Sequence, residues 1–210
     1  MFSMIFKGGP VMYPIILCSI IALAIGIERV YHLHRAKIDT RKFMDDVANV
    51  IRRNKIMEAI EKCENTPGPI AHILKAGILK HDRPRQEIKE SIAEAGLYEV
   101  PRMEKNLTAL STIAHITPLL GLLGTVVGMV RCFQVIQQKS TSLSPVSPGD
   151  LAGGIGQALI TTVAGLAVAI PVYVLYNYLV SRVNYMVLDM ERSATDLTNI
   201  LTQKGKSNDI

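Results

Sequence analysis

The sequence predicts an all-α, polytopic membrane protein with three transmembrane helices and a helical cytoplasmic domain. Charge is interrupted by three long gaps: 20 residues between Lys7 and Glu28, 25 between Lys105 and Arg131, and 31 between Asp150 and Arg182. A helix needs about 20 apolar residues to cross a bilayer, so each gap suffices and the third leaves room for tilt or an extension. Hydrophobic residues make up 49% of the chain at a mean hydropathy of +0.25, yet tryptophan is absent and aromatics reach only 5%. Leu, Ile, Val, Ala and Gly in place of aromatic volume suit helices that pack closely in lipid. The basic residues behind the net charge of +5 cluster between the apolar runs, which fits membrane orientation and not a nucleic-acid surface.

The elements follow in order. Residues 1–10 read as an N-terminal periplasmic segment and 11–31 as the first span. Lys7 ahead of an apolar run also fits a signal peptide. No small-x-small cleavage site follows, however, and the run ends in Ile27-Glu28-Arg29-Val30-Tyr31, so a retained anchor is expected. Residues 32–106 form the cytoplasmic helical domain, because they hold most of the Lys and Arg, and the basic cluster from Arg29 to Lys42 at the end of the span counts most. Within it, Asp39-Thr40 is a candidate cap for a helix whose Phe43, Val47, Val50 and Ile51 share one face. Asn65-Thr66-Pro67-Gly68-Pro69 breaks the chain. Ile70, Ile73, Leu74 and Ile78 then open a second amphipathic run, and residues 85–110 read as one helix continuing into the second span, 107–135. Residues 136–150 form a turn-rich periplasmic loop holding only Lys139 among the bases. The third span is 151–180, and 181–210 is a cytoplasmic tail whose polar end, from Gln203, is expected to fray.

The spans carry residues that lipid does not reward. In the second, Thr117, Gly121, Gly124, Thr125, Gly128 and Cys132 are spaced to share one helix face, with Leu and Val opposite. In the third, Gly154, Ala158, Thr161, Thr162, Gly165 and Ala169 do the same. Small-residue stripes serve helix packing, and Gly121, Gly124, Gly128, Gly154, Gly165 and Pro171 are assigned that role. The threonines add something. Counted from Val135 and Leu151, Thr125 and Thr162 lie ~15 Å and ~16 Å deep at 1.5 Å per residue, near the middle of a hydrocarbon core about 30 Å thick. Hydroxyls at matched depth form a polar lining for a cation or a partner's carboxylate. With Thr117, Thr161 and Gln157 they are the candidate ion-path residues. No Asp, Glu or Lys lies inside the three charge-free runs, so a titrating group has to come from another subunit.

These same residues carry a resemblance. Thr117-Pro118-Leu119-Leu120-Gly121-Leu122-Leu123-Gly124-Thr125-Val126 with Gly128-Met129, then Gly154-Ile155, Gln157-Ala158-Leu159 through Thr162, Gly165-Leu166 and Ala169-Ile170-Pro171, resemble the MotA/TolQ/ExbB proton channel family over about residues 66–178. Three spans, an outside N-terminus and a large loop after the first span are similar to ExbB and TolQ; MotA has a fourth span. The resemblance implies a homopentameric ring in the bacterial inner membrane. The ring encloses an ExbD- or TolR-like partner that carries a membrane-embedded Asp and drives a TonB- or TolA-like protein. It also implies that Thr125 and Thr162 match the family's pore threonines. Where ExbB and TolQ have a glutamate, this chain has Gln157, an amide that cannot carry a proton as a carboxylate does. Proton and sodium both stay open. So do Tol-Pal, gliding or flagellar-type duty, and a non-conducting membrane scaffold whose stripes serve only oligomerisation.

Other signals point to no further chemistry. Cys18, Cys63 and Cys132 are scattered, without a CxxC or a disulfide framework. His32 and His34 lie ~200° apart on a helix, poorly placed to chelate one metal. His115 is expected to pack or to sit at the interface, and Arg131 to snorkel to the outer interface. Asp45 and Asp46 fall on a soluble helix, and no phosphate-binding loop or nucleophile elbow is present. No metal, cofactor or catalytic residue is expected, and the chain is not expected to be an enzyme.

Overall fold

The computed structural model describes residues 8–36, 38–141 and 145–208, with side chains to Gln203. All its described elements are helices: α1 (Met12–Arg35), α2 (Thr40–Arg52), α3 (Ile56–Asn65), α4 (Pro69–Leu79), α5 (Arg85–Glu104), α6 (Leu107–Thr141) and α7 (Pro148–Asn208). Three of the helices are long and apolar enough to cross a membrane, and their apolar runs lie in α1, α6 and α7. The chain divides into two compact units, residues 1–28 with 106–178, and residues 29–105 with 179–210.

In the first unit, α6 and α7 meet through their small residues. A methyl group on Gly121 would sit 3.2 Å from the Thr161 carbonyl oxygen, and one on Gly128 only 2.6 Å from that of Gly154. On the facing helix, a methyl on Gly165 would come within 2.8 Å of the Thr117 carbonyl oxygen, and one on Gly124 would overlap the Thr161 side chain. The stripes predicted to pack helices pack these two against each other. Gly26 plays the same part between α1 and α7, where a methyl would meet Leu175 at 2.6 Å. Outward, the spans present Tyr13, Leu17, Ile20, Leu23 and Ile27 on α1, Leu119, Leu122 and Val126 on α6, and Leu159, Val163 and Ile170 on α7, all exposed. Pro118 and Pro171 lie inside α6 and α7.

The second unit is built as a small soluble domain is. Asp39 caps α2, its carboxylate accepting the Lys42 backbone N–H at 3.2 Å, as its place before Thr40 predicts. Val47, Val50 and Ile51 are buried as expected. Phe43 is only half-buried, and the neighbouring Met44 takes the buried place. The break at residues 65–69 turns on Gly68 at φ 120°, a conformation open to glycine alone at low cost, and Pro69 starts α4. Ile70, Ile73, Leu74 and Ile78 are all buried. Gly77 lets α4, α5 and α7 close together, for a methyl there would meet Ile92 at 2.7 Å and Leu197 at 3.0 Å.

Two expectations are corrected. Residues 85–110 are not one helix: α5 ends at Glu104, Lys105 is extended (φ −48°, ψ 137°) and Asn106 is left-handed at φ 62° before α6 begins. Asparagine tolerates that region, and its side-chain N–H donates to the Glu28 carboxylate at 3.1 Å, which fixes the break. The polar end of the chain also stays helical, α7 running to Asn208. Residues 1–7, Lys37, residues 142–144 of the turn-rich loop, and residues 209–210 lie outside the described residues.

Candidate ion path

Each candidate residue sits on or beside the α6–α7 seam. Thr117 and Thr161 are fully buried within it. The Thr117 hydroxyl donates to the Ile113 carbonyl at 2.6 Å, and that of Thr161 to the Ala158 and Gln157 carbonyls at 2.9 and 3.1 Å. Such i−3 and i−4 bonds satisfy a hydroxyl without a partner helix. Thr125, half-buried, donates to the Leu122 carbonyl at 2.6 Å. Thr162 reaches across the seam as well as along its own helix, 3.4 Å from the Gly121 carbonyl and 3.2 Å from that of Ala158. Thr162 therefore lies level with Gly121, one turn from Thr125.

Gln157 is 3% exposed, and its carbonyl oxygen accepts a hydrogen bond from the Arg131 guanidinium. Arg131 itself is exposed near the outer end of α6 and makes this contact with one guanidinium nitrogen. The pair does not show in the sequence, because its members stand 26 positions apart on different helices. Among the described residues the Gln157 amide nitrogen is buried without a hydrogen-bond partner. It lies against Gly9, at φ 69°, where any Cβ would overlap it.

The seam has two edges. Thr125 and Arg131 are six positions apart on α6, ~120° around the helix, and Gln157 and Thr162 are five apart on α7, ~140° around. Because Arg131 bonds Gln157, those two share one edge, and Thr125 and Thr162 share the other. Glycines and the buried threonines fill the space between. At the loop end of the pair, the Asp150 carboxylate accepts from Lys139 at 2.6 Å and from the Ser147 backbone N–H and hydroxyl at 2.8 and 3.0 Å. Lys139, followed by Ser147, holds the Asp150 carboxyl down at about 2. His115 bonds the Ser111 carbonyl at 2.7 Å and packs edge-on against Tyr173, with ring centres 5.9 Å apart. Among the described residues no group of three or more His, Cys, Asp or Glu could hold a metal ion.

Comparison with known proteins adds the family. Residues 65–192 match the sequence model of the MotA/TolQ/ExbB proton channel family. Over 177 residues the chain is 35% identical to biopolymer transport protein ExbB-like 1 of Synechocystis, which covers 83% of this chain and 68% of that one. Over 199 residues it is 30% identical to the Tol-Pal system protein TolQ of Haemophilus influenzae, covering 89% and 85%. An ExbB homolog of Methanothermobacter thermautotrophicus is 28% identical over 179 residues; this chain spans 62% of that relative's length. A match over more than half the chain, centred on the two threonine-bearing spans, makes it a member of the MotA/TolQ/ExbB proton channel family.

Proposed function

We propose that the chain is the ion-conducting stator subunit of an ExbB/TolQ-type assembly in the inner membrane. Its N-terminus faces the periplasm and its C-terminus the cytoplasm, as the basic residues of 32–106 favour. Five copies enclose an ExbD/TolR-like partner, and proton flow through the ring does mechanical work on a periplasm-spanning protein of TonB or TolA type. The chain's part is to line the path and hold the ring, not to catalyse. The observation that carries this reading is the pair Thr125 and Thr162. The two hydroxyls lie on one edge of a seam closed by glycine, in spans with no Asp, Glu or Lys. A hydroxyl can relay a hydrogen bond but cannot take up a proton, so the partner's carboxylate supplies the titrating group. The buried Thr117 and Thr161 support that edge from within, and Gln157 stands on the opposite edge.

Thr125→Val and Thr162→Val keep side-chain shape and remove the hydroxyl. In proteoliposomes holding the chain and its partner, each should cut proton uptake by at least about tenfold, a loss of ~1.4 kcal/mol in barrier terms. Both should leave the size of the purified assembly unchanged; undiminished uptake would sink the assignment. The close α6–α7 packing favours a second reading, a non-conducting scaffold. In that case both valine variants are silent and only Gly124→Leu is harmful. A neighbouring reading frame encoding one N-terminal span with an Asp would favour the conducting assembly.

A further inference from the structure

The second unit contains a cavity of about 290 Å³ that the ion path does not use. It is lined by Tyr31, His32 and Arg35 from the end of α1, by the Pro67–Pro69 turn, and by His72, Glu99 and Arg102. Two arginines and two histidines thus share the lining with one carboxylate residue. That carboxylate is already engaged: a single Glu99 oxygen lies 3.0 Å from His72 Nδ1 and accepts from Arg102 at 3.0 Å. One N–H of the Arg102 fork is used there, and the rest of its donors are left for a ligand. The turn beneath brings a further source of positive potential. Helix α4 begins at Pro69 with no side chain capping it, so first-turn N–H groups lack an intrahelical acceptor. The floor is apolar, made by Leu33, Met103 and Met186.

We propose that this cavity binds a phosphate-bearing anion through Arg35 and Arg102, with the imidazoles of His32 and His72 as further donors. Planar guanidinium forks suit phosphate oxygens, and an apolar floor suits the glycerol-sized remainder of a headgroup. A volume of about 290 Å³ exceeds what a bare phosphate needs. Tyr31 and Arg35 follow the apolar run of α1 within two turns, the depth at which headgroup phosphates lie. The phosphate comes either from an anionic phospholipid or from solution, and the two sources separate experimentally. The inference is independent of the ion path.

The test uses the full chain purified in a mild detergent, with dioleoyl phosphatidylglycerol, dioleoyl phosphatidylcholine and inorganic phosphate as probes. Native mass spectrometry reads lipid retention, and a melting curve reads the response to phosphate. Arg35→Gln with Arg102→Gln should lower phosphatidylglycerol retention by about tenfold or more, since two charge-assisted contacts are lost. Arg35→Lys with Arg102→Lys should retain most of it. Arg83→Gln with Arg85→Gln, equal in charge and outside the cavity, should retain all of it. A lipid source predicts preference for phosphatidylglycerol over phosphatidylcholine without competition from millimolar phosphate. A soluble source predicts that phosphate raises the melting temperature of the wild type and of the lysine pair but not of the glutamine pair. If the glutamine pair matches the wild type in both measurements, or loses no more than the Arg83/Arg85 control, the proposal is overturned.

Discussion

At the scale of the residue, Gly124 decides how close two helices can come. A methyl there overlaps the Thr161 side chain, so Gly124→Ala should destabilise the detergent-solubilised protein by about 1–3 kcal/mol. Adding Thr161→Ala removes the hydroxyl and methyl that such a group meets first and should restore part of that loss. Melting curves of the two single variants and the double variant test this as a coupling; strict additivity would mean that the seam has opened. A different residue shows what burial does to a thiol. Cys63 lies in the core of the second unit, and desolvation pushes its thiol up to about 11. Thiolate is the reactive form, so Cys63 should resist alkylation at pH 8 in the folded protein and react on denaturation. Because the folded value lies above the unfolded one, stability gained from the protonated thiol is complete below about pH 9 and lost as pH rises through about 11.

At the scale of the element, helix ends carry the information. Asp150 ties the start of α7 to Lys139 on α6 and to Ser147 in the loop. Its carboxyl is held down to about 2, so this stabilisation is present above about pH 4 and is lost as pH falls through 2. Between pH 5 and 8 the closure of the loop should not vary with pH, whereas Asp150→Asn should loosen it across that range, read as faster hydrogen exchange over residues 145–152. The opposite end of α6 depends on conformation and not on charge. Asn106→Val at φ 62° should cost about 1–3 kcal/mol in a melting curve, and Asn106→Gly much less. How far these elements were legible follows the same line. Spans show in sequence because charges are excluded from long stretches, and the Asp39 cap because its side chain acts on its own neighbours. The break at Lys105–Asn106 left no such trace. Neither residue is a strong helix breaker, and a left-handed asparagine looks in sequence like any polar residue. Arg131 escaped for a related reason: a long side chain can choose a partner on another helix, which spacing along one helix does not reveal.

At the scale of the whole molecule, the apolar surface has two kinds of exposure. Tyr13, Leu17, Ile20, Leu23 and Ile27 on α1, and Leu119, Leu122, Leu159 and Val163 on α6 and α7, are all open in the single chain. Under the proposed ring, only the α1 set stays against lipid. A lipid-soluble carbene reagent should label the α1 residues with or without assembly, and should label the α6 and α7 residues much less once copies and partner associate. Equal labelling of the two sets in the assembled state would count against the ring. The small-residue stripes were legible as packing faces, but their use within one chain was not. Periodicity marks a face and is silent about which helix covers it.

The glycine seam has one more consequence. Where helices touch through backbone atoms at Gly121, Gly128 and Gly165, neither can slide by a turn without the pair first lifting apart, because Thr125, Cys132 or Ala169 would then stand where a single methyl group already has no room. The α6–α7 pair is thus keyed like a tongue in its groove. Under the proposed assembly it moves as one plank of a fence, and the part that lets an ion pass has to be sought beyond it.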